Sequence, residues 1–179
     1  IAQADLNLVD FIMPNRYELL PETHGISGEL LSLVKEFPKQ KQQAIVELFS
    51  GNIIKHSCFL SKKDNKDTKA DPSDINAIPF FYGMMRDGVE LADSIDKSNF
   101  ITVTATLNKY YKVTFNVGRY TTKILRNING EKSIKDIVSE IVAANSNSVS
   151  EEEVLDEFIE LFNSMNAVDV ILLKYSHPD

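Results

Sequence analysis

Residues 99–117 read NFITVTATLNKYYKVTFNV, and this stretch limits the fold more than any other. Ile101, Val103, Ala105 and Leu107 alternate with Thr102, Thr104 and Thr106; after Asn108-Lys109, Tyr111, Val113, Phe115 and Val117 alternate with Tyr110, Lys112, Thr114 and Asn116. Successive strand side chains point to opposite faces, so a period of two builds one apolar and one polar face. Two such runs parted by two residues predict a β-hairpin turning at Asn108-Lys109. A fold holding it has to bury the apolar face against something else.

The partner is the helical material that follows. Tyr120 to Ile128 carries apolar residues at helical spacing and ends at Asn129-Gly130, where Gly130 can take the left-handed conformation that closes a helix. Ser133 and Asp136 are three apart, as are Ser150 and Glu153. A Ser followed at the third helical position by an acid satisfies two orphaned amide groups, which marks a helix start. The first box opens a helix buried through Ile134, Ile137, Val138 and Ile141. The second opens one buried through Val154, Leu155, Phe158, Ile159, Leu161, Phe162 and Met165, ending at Asn166. Asn145–Val149 reads as a loop, and Val168–Leu173 as a last strand. Three short helices followed by a strand predict a winged-helix-like unit against which the hairpin packs.

Upstream, residues 1–60 read as mostly helical. Ile1–Met13 ends at Pro14-Asn15, and Pro21 closes a short stretch. Ser27 caps a helix through Leu30, Leu31, Val34 and Phe37 that stops at Pro38. A further helix spans Gln40–Phe49 with Gly51 beyond it. Ile53–Leu60 reads as buried. Residues 61–78, SKKDNKDTKADPSDINAI, are a solvated loop. Pro79–Met85 reads as strand, with Gly88–Leu91 as its short partner. The expected class is α+β: a helical N-terminal part, a central antiparallel hairpin and a C-terminal winged-helix-like three-helix unit, divided into domains at 1–98 and 99–179.

Charge separates winged helices that read DNA from those that do not. A DNA reader places Arg, Asn or Gln of its third helix against base edges and neutralises phosphates with basic side chains. Here that helix offers Glu151, Glu152, Glu153, Asp156, Glu157 and Glu160, with no Lys or Arg from 151 to 165. Residues 118–179 hold six basic against eleven acidic residues, a balance of −5, and the whole chain carries −7. The expected partners are proteins or peptides rather than nucleic acid. The ordinary reading of these acids is a solvated helix face.

No residue pattern in the chain marks a catalytic, cofactor-binding or metal-binding residue. The glycines at 25, 28, 51, 83, 88, 118 and 130 never cluster into a phosphate-cradling loop, and His24, His56 and His177 lack metal-ligand spacing. His56 and Cys58 would share a face if that segment were a strand, which makes a Cys-His pair conceivable. The ordinary reading is a packed thiol and a hydrogen-bonded imidazole. Tyr110-Tyr111 and Phe80-Phe81-Tyr82 serve sheet and core packing at least as well as an aromatic binding patch. Cys58 is the only cysteine, so no internal disulfide forms, which fits a reducing, cytoplasmic setting. No membrane-spanning run is visible. The start at Ile1 suggests a fragment or processed product.

Two segments carry a resemblance. ADLNLVDFIMPNRYELLPE and KQQAIVELFSGNIIKHSCFL resemble the regulatory region that follows the catalytic domain in bacterial S-adenosylmethionine-dependent methyltransferases of the protein-lysine type. Ile54, Lys55, Ser57, Cys58 and Phe59 fall where that family has a Phe-Arg-x-Ser-Leu-Leu segment, with Ile in place of the aromatic residue and Lys in place of Arg. The resemblance implies a regulatory-like region over 1–98 and a winged-helix-like end. It also implies an upstream catalytic domain binding S-adenosylmethionine, with no cofactor on this chain. The chain would then be a non-catalytic regulatory or substrate-positioning region acting through protein contacts. The alternatives are a free-standing winged-helix module that holds an extended peptide, since ILRNINGEKSIKDIV resembles the small peptide-chaperone domains of peptide-modifying pathways, and, behind it, a DNA-binding regulator. An enzyme acting through His56 and Cys58 comes last.

Overall fold

A computed structural model of the protein describes residues 4–19, 27–51, 53–64, 71–83, 87–95, 100–104, 112–145 and 149–175. The fold class is α+β. The chain forms two compact units, 1–68 and 69–179. The division falls inside the solvated loop rather than at 98/99, because Ile78–Phe81 pairs with Ile171–Lys174 and Gly88–Ile95 packs on Thr121–Asn127.

In the first unit, Leu6–Phe11 is not helix but a strand, β1, paired antiparallel with β2, Cys58–Lys62. Leu6 and Leu8 already alternate with Asn7, and Leu8 faces Leu60 in the register. The irregularity between Leu8 and Asp10 breaks that alternation and hides the strand in the sequence. A 3-10 turn at Pro14–Tyr17 follows, entered from Met13 in the left-handed region. Helix α1, Gly28–Lys35, starts at Ser27, whose hydroxyl accepts from the Leu30 amide. Helix α2 spans Lys39–Ser50, and Gly51 closes it with a φ of +60°, a conformation that costs glycine nothing sterically. Ile53–Leu60 is not uniformly buried: Ile53 is covered, whereas Ile54 is 97% exposed and Leu60 is exposed as well. The stretch closed by Pro21 lies outside the described residues.

In the second unit, Asp71 and Asp74 fold the end of the loop into tight turns by accepting from the Ser73 and Asn76 amides. These bonds hold both carboxyls below the usual carboxylate range. Strand β3, Ile78–Phe81, does not pair with Gly88–Leu91. It pairs antiparallel with β6, Ile171–Lys174, and Gly88 instead opens a helix, α3, Gly88–Ile95. Leu91, Ala92 and Ile95 give that helix a buried side at helical spacing, which the reading of Gly88–Leu91 as a short strand overlooked.

The hairpin forms as β4, Phe100–Thr104, and β5, Lys112–Asn116, with Ile101 opposite Phe115 and the Thr102 and Thr114 hydroxyls 2.8 Å apart. Its turn at Asn108-Lys109 lies outside the described residues, as do Tyr110 and Tyr111. Helices α4 (Thr121–Asn127), α5 (Ile134–Ala144) and α6 (Glu151–Asn166) follow, and both capping boxes are present with reciprocal bonds. Ile124, Leu125, Ile134, Ile137, Ile141, Val154, Phe158 and Met165 form the centre of the core. Gly130 takes a φ of +77° in the turn between α4 and α5, and Asp169, at +54°, reverses the chain from α6 into β6. Strand β6 thus closes the unit by joining β3, while β5 lies against α6.

Candidate docking groove

Strand β5 pairs with β4 along one edge only among the described residues. A groove of about 520 Å³ lies between β5 and α6. Thr114, Phe115, Asn116, Val117 and Gly118 form one wall; Glu157, Glu160, Leu161, Asn163 and Ser164 form the other. That volume falls within the range of ligand-binding clefts. The placement follows from local rules. Alternation in β5 sets Phe115 against Ile101, and the apolar positions of α6 turn Leu161 into the core while Glu160 and Asn163 stay exposed.

Glu157 fixes the groove's inner end. One of its carboxylate oxygens accepts from the Tyr120 amide at 2.9 Å and from the Thr121 hydroxyl at 2.7 Å, and the other lies 3.1 Å from the same amide. The Gly118 amide donates to the Thr121 hydroxyl oxygen at 2.9 Å. A Cβ at 118 would meet the Glu157 carboxyl and push it off its bonds to Tyr120 and Thr121, so glycine permits this close approach. Glu157 is therefore committed to the fold. The exposed Glu160 carboxylate has no hydrogen bond or ion pair among the described residues.

A second polar array lies in the first unit. The Tyr17 hydroxyl is 3.0 Å from His56 Nδ1, and His56 Nε2 is 3.3 Å from Glu47 Oε1. A neutral imidazole protonated at Nε2 satisfies both neighbours, donating toward Glu47 and accepting from Tyr17. The Phe11 ring stacks on Tyr17 at 4.2 Å. His56 lies before β2 and spends its nitrogens on Tyr17 and Glu47, and no hydrogen bond joins it to Cys58, so the conceivable Cys-His pair does not form. His24 and His177 are outside the described residues. Among the described residues no cluster of His, Cys, Asp and Glu has metal-holding geometry, and no helix is long and apolar enough to cross a membrane.

Sequence reasoning placed the hairpin and α6 but did not foresee the groove between them. The missed signal is Gly118: a glycine just after a strand marks a close approach of another element. No protein-family model matches the chain, and no curated protein matches it.

Proposed function

We propose that this chain is a non-catalytic regulatory or substrate-positioning region of an S-adenosylmethionine-dependent methyltransferase, cytoplasmic, and acting through protein–protein contacts. The observation that carries the docking role is the groove between α6 and β5, a strand that pairs with β4 alone among the described residues. A strand edge offers amides and carbonyls to an incoming extended segment, and a neighbouring helix supplies pockets for its side chains. The methyltransferase assignment rests on the resemblance carried by residues 4–22 and 41–60. The seven scattered glycines do not fit a nucleotide-cradling loop, so the cofactor belongs to the upstream domain that the resemblance implies. That cofactor would supply the methyl group, and this chain would hold the protein that receives it.

The same groove also favours a second reading, a free-standing winged-helix module that binds peptides. The reading frame upstream of Ile1 separates the two: a catalytic domain there supports the first, and a start codon there supports the second. The functional test uses the longer protein with Phe115→Asp in the groove wall. Loss of methyl transfer to a protein substrate, with S-adenosylmethionine binding intact by calorimetry, is the expected result. Unchanged transfer by a folded variant would defeat the positioning role.

A further inference from the structure

From the same groove we infer the class of segment it takes: an extended peptide bearing lysine or arginine side chains, laid along β5 with a basic residue at Glu160. The inference rests on the docking reading and adds selectivity to it. Three observations carry it. The backbone of Thr114, Phe115 and Asn116 pairs only toward β4, and no described strand lies along the other edge, which is the arrangement strand addition uses. Phe115 and Val117, both half-buried, supply apolar contact within the groove. No lining residue is basic, and of the two carboxylates in the wall Glu157 is used by the fold, so Glu160 is the one left to meet a cation.

Asp156 lies one turn before Glu160 on the exposed side of α6, and Glu151, Glu152 and Glu153 are exposed in its first turn. The exposed face of α6 is therefore negative, while Arg119 is exposed beside Gly118 at the β5 end. A field of one sign speeds encounter with the opposite charge and disfavours its own. An acidic segment would pair its backbone equally well but would bring like charges together. The strand edge gives affinity without discrimination, and Glu160 supplies the discrimination.

Three synthetic eight-residue peptides test this against the purified chain: alternating Val and Lys, alternating Val and Ser, and alternating Val and Glu. Fluorescence anisotropy reads affinity, and amide NMR shifts read location. The Lys peptide is expected to bind about threefold or more tightly than the Ser peptide at low salt, the scale of one exposed ion pair. That advantage should shrink as salt shortens the screening length, and should disappear in Glu160→Gln, an exposed substitution that leaves the core intact. Shifts should centre on residues 114–118 and 160–164. Equal binding of the Lys and Ser peptides, or an advantage that survives Glu160→Gln, would overturn the selectivity while leaving the docking reading standing. Shifts centred on Glu151–Glu153 would place the cation elsewhere and overturn it too. If none of the peptides binds, the docking reading fails first and the selectivity falls with it.

Discussion

The carboxylate of Glu157, in the middle of α6, caps the start of α4 by accepting the Tyr120 amide at 2.9 Å. Helix α4 has no local side-chain cap, so its orphaned amide is satisfied from 37 residues away in sequence. The bond to the Thr121 hydroxyl and the negative charge facing a helix N-terminus add to it. One residue thereby joins two helices and sets the inner end of the β5–α6 groove.

Removing that carboxylate should uncouple the two helices. Glu157→Ala is expected to cost about 2 kcal/mol, because it leaves a partly buried amide without its charged acceptor. In urea unfolding the midpoint should fall with little change in slope. An unchanged midpoint would show that water replaces the carboxylate at no cost.

Gly118→Ala should destabilise by about 1–3 kcal/mol, because the new methyl group meets the Glu157 carboxyl. The two substitutions share one contact, so they should not add. In Gly118→Ala with Glu157→Ala the methyl group finds space, and the double variant should lose less than the sum of the single losses. Additive losses would mean that the glycine is needed for a reason other than this approach.

The first capping box should make α5 acid-sensitive. The Ser133 hydroxyl donates to Asp136 Oδ2 at 2.6 Å and its amide adds a second bond at 3.1 Å, which holds the Asp136 carboxyl below the usual carboxylate range. A carboxyl lowered in the folded state binds its proton more readily when unfolded. Its contribution is complete at pH above the unfolded value and is lost as pH falls through the folded one. Asp136→Asn should therefore flatten the acid limb of the stability profile and leave its neutral part parallel to the parent. An acid limb of unchanged steepness in that variant would count against this assignment.

Burial ranks substitutions that hydrophobicity alone would not. Phe158 is 1% exposed and lies 6.2 Å from the Phe162 ring, so Phe158→Ala should cost about 3–5 kcal/mol. Ile54 is 97% exposed, and Ile54→Ser should change stability by no more than about 0.5 kcal/mol. Thermal unfolding of the two variants checks the ranking. A large loss at Ile54 would mean that its side chain is covered in solution.

Much of the second unit was legible in the chain. Ser133 with Asp136 and Ser150 with Glu153 name two helix starts because a cap is a bond between residues three apart, and the Thr and Val alternation names the hairpin because a strand exposes alternate residues to opposite environments. Local periodicity carries such information unaided. The groove was legible only in part, since Glu160 and Phe115 could be assigned to exposed and apolar faces but not to each other.

Long-range pairing decided the rest. Leu6–Phe11 is a strand only because Cys58–Lys62 lies beside it, and Ile78–Phe81 ends up beside Ile171–Lys174 rather than its sequence neighbour. A short apolar segment with broken alternation fits helix and strand about equally, and the partner that accepts its backbone hydrogen bonds settles which one forms. The sequence determined where helices begin and which faces are apolar, because those are interactions over three or four residues. Which carboxylate is spent on the fold and which stays exposed were fixed only when distant segments met, since a hydrogen bond between Glu157 and Tyr120 leaves no periodic trace in the chain between them.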